Sequence, residues 1–317
     1  MNIFYVLNLH ILFSIAYAQS MPPIIGSYAT QRKVYPVSTL DGSSQEVVVT
    51  FPSNGTNQEK FPLISYAHGM FGGGTDILGY VDLFHQLASY GFVVAAHKSC
   101  SNGCIRPGGA SKYTNCAGLL NVEPFNKGWD SYYGESLKTI EWARNSGSNV
   151  TLPINWTTGV GIAGHSMGGQ STTIAASSKC SQEYDIRAGV IHHPANGELS
   201  HGQFGNIGEN VSIPMAAFTS SGDGIWNETY GIWNAMNGTS INKIYRDVKG
   251  FSHLEPVLSP PIENPYLATY TAAWFAIYLK GEKNANDESF QLIYGNRSDS
   301  ICKHSEMVKC IIGRAPE

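Results

Sequence analysis

The stretch GIAGHSMGGQSTTIAA, residues 161–176, sets Ser166 two places after Gly164 and two before Gly168. A serine hydroxyl is a poor nucleophile at neutral pH, so it needs a nearby base and an oxygen that projects clear of other side chains. A sharp turn from strand to helix supplies the projection. Such a turn brings the residues two before and two after the serine together, leaving room only for hydrogen where a Cβ would sit; Gly164 and Gly168 meet that need. The apolar run GVGIAGH (159–165) in front reads as the strand, and the Ala/Thr-rich run behind reads as the helix. The positive end of that helix, with the backbone N–H of Met167, then faces the place where a tetrahedral oxyanion forms. A bare G-x-S-x-G arises easily by accident, so the weight lies on the flanking strand and helix.

A second oxyanion donor is expected from a loop after an earlier strand. YAHGMFGGGTD (66–76) overlaps the end of the apolar PLISYAH (62–68), and the N–H of Met70 is the leading candidate, with Phe71 the alternative. His68 is expected to order this loop. The glycine run lacks the Lys-Ser/Thr ending of a phosphate-binding loop and no G-x-G-x-x-G follows it, which argues against a nucleotide.

In this arrangement the acid and the histidine follow the serine in chain order, on loops beyond later strands. MAAFTSSGDG (215–224) leads to Asp223, and KIYRDVKGFSHLEP (243–256) carries His253 soon after the next strand. Asp185 precedes a strand and Asp247 lies within one, so both are weaker acids for this purpose; Glu255 is the fallback if Asp223 turns away. The expected set is Ser166 as nucleophile, Asp223 as acid and His253 as base, with Met70 and Met167 lending backbone N–H groups. His165 adjoins the nucleophile and reads first as a packing residue; His192 and His193 end a strand and are placed to line a pocket. Phe71, His165, His193, Ala195 and Leu254 are the substrate-binding candidates. Neither H-E-x-x-H nor C-x-x-C occurs, and hydrolysis by side chains alone needs no metal or other cofactor; none is expected.

These residues need a frame. Apolar runs rich in β-branched residues, EVVVTF (46–51), PLISYAH, FVVAAH (92–97), GVGIAGH, AGVIHH (188–193), MAAFTSS (215–221) and KIYRDV (243–248), alternate with amphipathic stretches. The inner runs are continuous rather than alternating, as strands covered on both faces are. Helices are expected in YVDLFHQLASYG with Gly91 closing it, in DSYYGESLKTIEWARNSG, after Ser166, and in NPYLATYTAAWFAIYLKG from Asn264 as N-cap and Pro265 at N1 to Gly281. Strands alternating with helices imply an α/β fold with a mostly parallel central sheet and helices on both faces. Residues 99–129 hold three cysteines and no sustained period, and read as a disulfide-pinned excursion or a flap beside the site.

With 317 residues, 42% of them hydrophobic, and no visible repeat, one large domain is expected over 19–317, without a large cap domain. Lys plus Arg number 20 against 24 for Asp plus Glu, a net charge of −4, and the cations are scattered, which excludes nucleic acid as an expected partner. MNIFYVLNLHILFSIAYA (1–18), acid-free with an apolar centre and ending Ala-Tyr-Ala, reads as a secretory signal peptide; its lack of Lys or Arg leaves a membrane anchor or a buried strand as alternatives. No other run approaches the roughly 20 apolar residues of a membrane span, so no stable membrane insertion is expected. Asn54, Asn149, Asn155, Asn210, Asn227, Asn237 and Asn296 each open an N-x-S/T sequon, more than chance supplies. The six cysteines fit no zinc spacing and read as disulfides of a secreted, extracellular glycoprotein, with Cys302 and Cys310 the first pair and the partners of Cys100, Cys104, Cys116 and Cys180 open.

With HGMFGGG, GHSMGG, GD and SH in this order, the chain resembles an α/β-hydrolase over about residues 45–312. It is most similar to the branch holding the bacterial cutinase-like poly(ethylene terephthalate) hydrolases, the secreted platelet-activating-factor acetylhydrolases and the chlorophyllases. QLASYGFVVAAH is similar to that family's helix, turn and strand before its fourth core strand, HGM resembles the acetylhydrolases' HGL, and LIYGNRSDSICKHSEMVKC looks like the polyester hydrolases' disulfide-closed tail, which supports pairing Cys302 with Cys310. The resemblance implies Ser166, Asp223 and His253 as the triad. It departs at Met70, where the polyester hydrolases carry an aromatic residue, and at Ala195, which takes the place of their tryptophan, so a terephthalate clamp is not implied. The 99–129 excursion has no counterpart.

Residues and resemblance together lead to the expectation of a secreted serine carboxylesterase acting on a small-molecule, lipid or polymer ester, as a monomer. A polyester or lipid-ester hydrolase is the narrower form of that reading. A catalytically silent binding or adhesion protein of the same fold is its rival, and the intact Ser, His and Asp argue against it. Because the base works only when neutral, activity is expected to fall below roughly pH 6 to 6.5.

Overall fold

The computed structural model describes residues 26–38, 44–53, 59–69, 77–98, 116–117, 134–145, 151–195, 207–224, 226–236, 241–258, 264–303 and 305–314. The leader, Met70, Phe71, Cys100, Cys104 and nearly all of 99–129 lie outside these residues, as do the sequons at Asn54, Asn149 and Asn237.

The nine strands among the described residues belong to one mostly parallel sheet: β1 (Thr30–Ser38), β2 (Ser44–Pro52), β3 (Leu63–Ala67), β4 (Val93–Lys98), β5 (Val160–His165), β6 (Ile186–His192), β7 (Met215–Ser220), β8 (Lys243–Val248) and β9 (Met307–Arg314), in the order β1-β2-β4-β3-β5-β6-β7-β8-β9. From β4 to β8 every neighbour is parallel, while β1, β2 and β9 pair antiparallel at the margins. Every residue of β3, β5, β7 and β8 is buried; the first three read as largely apolar runs for that reason, while β8 buries Lys243, Arg246 and Asp247 as well.

Successive side chains leave the sheet on opposite faces. Leu63, Val93, Ala95, Ile162 and Met215 enter one core, with Leu137 and Ile140 from α2 (Glu135–Asn145), Ile174 from α3 (Met167–Ala175) and Ile232 from α5 (Trp226–Ala235); α4 (Ser178–Glu183) adds Cys180. Ile64, Val94, Ala163 and Ala216 enter the other, with Leu83 and Leu87 from α1 (Val81–Ser89), Trp274 from α7 (Leu267–Phe275) and Ile293 from α8 (Glu288–Tyr294), the short α6 (Glu255–Leu258) lying between β8 and α7 in sequence. Burying each large apolar side chain contributes about 1.5–3 kcal/mol, so the two faces together hold the strand ends in fixed relation.

Local signals behave as their chemistry dictates. Asn264 Oδ1 accepts from the Tyr266 N–H at 3.0 Å, leading into α7, and the helix runs on through a π-helical turn (Ala276–Lys280) to Gly281 at φ 79°. Gly91, at φ 82°, follows the end of α1. Strands β1 and β9 go beyond the sequence expectation, because an edge strand keeps one side and much of one face in water and so lacks a continuous apolar run; Val34, Val308 and Ile312 are exposed there. Disulfides join Cys302 to Cys310, as expected, and Cys116 to Cys180, tying that point of the 99–129 stretch to α4. Among the described sequons, Asn210, Asn227 and Asn296 are exposed and Asn155 is half-buried. No helix among the described residues is long and apolar enough to cross a membrane.

Candidate active site

Ser166 stands between the last residue of β5 and the first of α3, at φ 56° and ψ −120°. Such backbone costs a non-glycine residue on the order of 1–3 kcal/mol and persists only where its surroundings fix it. Here they do. The Ser166 N–H donates to the His192 carbonyl at 3.0 Å, and the Ser166 carbonyl accepts from Gln170 at 3.2 Å and from Ala195 at 3.0 Å. A Cβ on Gly164 would lie 2.2 Å from the Gly168 carbonyl oxygen, the crowding the spacing predicts. Gly168 has a different reason from the one expected: its Cβ would lie 2.0 Å from the carbonyl oxygen of Ala67, so glycine there lets α3 press against the end of β3.

Three side chains distant in sequence meet at the C-terminal edge of the sheet. Asp223 lies beyond β7 and His253 beyond β8, and Ser220 Oγ ties these loops by accepting from the N–H groups of Gly222 (3.1 Å) and Phe251 (3.0 Å). His253 Nδ1 is 2.9 Å from Asp223 Oδ2, and His253 Nε2 is 2.9 Å from Ser166 Oγ. An ionised carboxylate only accepts, so Nδ1 carries the proton and the Nε2 lone pair is left to face the serine hydroxyl. Burial works against the charge of Asp223, yet hydrogen bonds from His193 and His253 outweigh it and hold its carboxyl well below the usual carboxylate range. Met167 opens α3, where backbone N–H groups have no partner within the helix.

The other expected pocket residues divide. Leu254, beside His253, is 47% exposed and remains available to a ligand. Ala195 is fully buried and acts through its backbone on Ser166, so it does not line an open pocket. His165 is also withdrawn from solvent: its Nε2 donates to the His253 carbonyl at 2.7 Å, and its Nδ1 accepts from the Tyr80 hydroxyl at 2.7 Å, which in turn accepts from the Gly69 N–H at 2.9 Å. A carbonyl cannot donate, so the proton sits on Nε2; burial, then the neighbouring His253 and His193, push this imidazole well below its ordinary pKa and keep it neutral. Tyr80→Phe leaves the Gly69 N–H and His165 Nδ1 buried without that partner, and is expected to destabilise the fold by about 1–3 kcal/mol, measured as a urea-denaturation difference against wild type. Nothing in the sequence singles out Tyr80.

His193 is likewise not a pocket residue. Fully buried at φ 44°, it places Nδ1 2.7 Å from Asp223 Oδ2 and Nε2 2.7 Å from Glu255 Oε2. Glu255 therefore serves His193 rather than standing in as acid for His253. Its other oxygen accepts from Asn264 Nδ2 at 2.5 Å and lies 3.6 Å from Arg246 Nη1. Burial would raise the Glu255 pKa, but Arg246 and the hydrogen bond from His193 bring it down to about 2. Arg246, an arginine inside the wholly buried strand β8, is the sequence signal that could have pointed to a buried carboxylate nearby.

Among the described residues, His193, Asp223 and His253 form a group whose ligand-type atoms lie within 4.8 Å of one another, the spacing that could hold a metal ion. Those atoms already bond to each other, both rings sharing Asp223 Oδ2, and a cation there would have to replace both ring protons. The arrangement as it stands can do general-base chemistry on a hydroxyl: base 2.9 Å from nucleophile, and acid 2.9 Å from base. In comparisons with known proteins, no protein-family model matches the chain and no curated protein is significantly similar to it.

Proposed function

We propose that this chain is a serine carboxylic-ester hydrolase of the α/β-hydrolase kind, working through an acyl-enzyme. The observation that carries the reading is the unbroken Asp223–His253–Ser166 chain of contacts, both 2.9 Å, centred on a serine in strained turn geometry. His253 Nε2 takes the Ser166 proton as Oγ bonds to the ester carbonyl carbon, and the carbonyl π electrons move to its oxygen. The Met167 N–H at the head of α3 stabilises that oxyanion, with Met70 as the second donor. As the oxyanion collapses, the C–O bond to the alcohol breaks and the imidazolium gives that alcohol its proton; water, deprotonated by His253, then adds to the acyl carbon, and the bond to Ser166 Oγ breaks as His253 returns the proton to Oγ. Asp223 holds the imidazole tautomer throughout. Exposed Leu254 offers an apolar contact beside the base.

The leader-like first eighteen residues, the sequon excess and the two disulfides support an extracellular setting. The direct test is covalent labelling: a fluorophosphonate probe is expected to react once per folded chain, with the adduct on the peptide holding Ser166. Folded protein that stays unlabelled would sink the reading and favour a silent fold. Rates on aryl esters of increasing acyl length, a phospholipid and a polyester film then define the substrate.

A further inference from the structure

We propose that His193 is a positioning residue of this site: clamped as an imidazolium between Asp223 and Glu255, it fixes the carboxylate that orients His253, a role that rests on the hydrolase reading.

The geometry alone demands an extra proton. Each ring nitrogen lies 2.7 Å from a different carboxylate oxygen, and an ionised carboxylate is an acceptor only. Both nitrogens must then be donors, which makes the ring a cation. Glu255 is ionised because it accepts from Asn264 and faces Arg246. Asp223, His193, Glu255 and Arg246 thus form a string of alternating charge, negative, positive, negative, positive, whose sum is zero. A neutral His193 would leave two buried carboxylates facing one cation, an arrangement that the dry interior penalises heavily. All four are nearly or fully buried, so water cannot take over any of these roles.

The clamp reaches the reacting atoms through one oxygen. Asp223 Oδ2 accepts from His193 at 2.7 Å and from His253 at 2.9 Å, so the position of that oxygen is set from the interior before it meets the base. His193 is itself fixed by its backbone N–H, which donates to the Phe218 carbonyl at 2.8 Å. The charged and titratable groups around it come from every neighbouring element: Asp223 after β7, Arg246 and Asp247 on β8, His253 and Glu255 beyond β8, His165 on β5, and His192 at the end of β6. Burial opposes the charge on His193, but the two carboxylates outweigh it and raise the pKa to about 9. The cation therefore persists at neutral pH, and the clamp opens as pH rises through about 9, when one nitrogen turns a lone pair toward a carboxylate.

The test uses the full chain. For wild type, kcat on an aryl ester is expected to fall as pH rises through about 9. His193→Gln, whose amide cannot donate to both carboxylates from one plane, is expected to lose roughly 10–100-fold in kcat at about pH 7 with KM little changed, and to lose that alkaline fall. Wild-type kcat in the variant, or a slower variant that keeps the same alkaline fall, overturns the proposal. If the variant fails to fold, nitrogen-15 histidine spectra of wild type decide: both His193 ring nitrogens are expected to be protonated at about pH 7. A neutral ring in a protein that fluorophosphonate still labels overturns the positioning role alone. A protonated ring in a protein that never labels overturns the hydrolase reading and the positioning role with it.

Discussion

Ser166→Ala is expected to lower kcat by about 10³-fold or more while leaving the urea midpoint close to wild type. The two halves of this expectation have separate causes. Oγ is the only heavy atom removed, and it is the atom that the His253 Nε2 contact at 2.9 Å prepares for attack. Without it no acyl-serine can form, and what remains is water attack aided by the oxyanion donors and by binding. The fold, by contrast, loses little: the backbone bonds of residue 166 to His192, Gln170 and Ala195 survive, and the side chain of His253, 33% exposed, can turn its freed nitrogen to water. Single-turnover and steady-state hydrolysis of an aryl ester, with denaturation of both proteins, checks it. A variant retaining most of its activity would remove Ser166 from the chemistry.

Asp223→Asn is expected to cost about 10⁴-fold in kcat and, unlike the serine change, to destabilise the fold by about 3–5 kcal/mol. Both rings use the same carboxylate oxygen, Oδ2, so an amide must place either its oxygen or its NH₂ at that one position. If the NH₂ takes it, His253 Nδ1 must accept and Nε2 becomes a donor unable to take the serine proton, while the His193 N–H faces another donor. If the oxygen takes it, both rings keep a hydrogen bond, but the fully buried His193 cation loses a counter-charge, and so does the imidazolium that forms at His253. Either rotamer breaks something, and both remove one negative charge from the buried string. The contrast is the check: Asp223→Asn moves both kcat and the denaturation midpoint, whereas Ser166→Ala moves only kcat. An Asn variant as stable as wild type would mean that Asp223 is not the counter-charge the buried chain requires.

The inner sheet is legible in the sequence because strands buried on both faces carry few charges to break the run: MAAFTS falls on β7 at its true start, and KIYRDV on β8 despite its three charged residues. The edge strands are not, since TQRKVYPVS keeps many of its side chains in water and carries no such run. Ser166, Asp223 and His253 can be chosen from chain order, because each follows a recognisable strand. Their buried partners cannot. His193 and His165 sit at strand ends, as a pocket residue would, and which way an imidazole turns there depends on carboxylates and hydroxyls arriving from β7, β8 and the segment before α1. Glu255 stands out in the sequence for its nearness to His253, yet the first turn of α6 carries it inward to the other ring. Gly168 is required where the spacing places it, but the approach of β3 is what requires it.

The imidazole at 165 grips the main chain at 253. Ser166 and His253 are borne by different loops, but the second hangs from a side chain rooted one residue before the first. Their spacing is therefore gauged locally, much as two gears on one bracket keep their mesh when the housing flexes. The same loop is held a second time at Phe251 by Ser220 Oγ, so drift elsewhere along it is kept from separating Ser166 and His253.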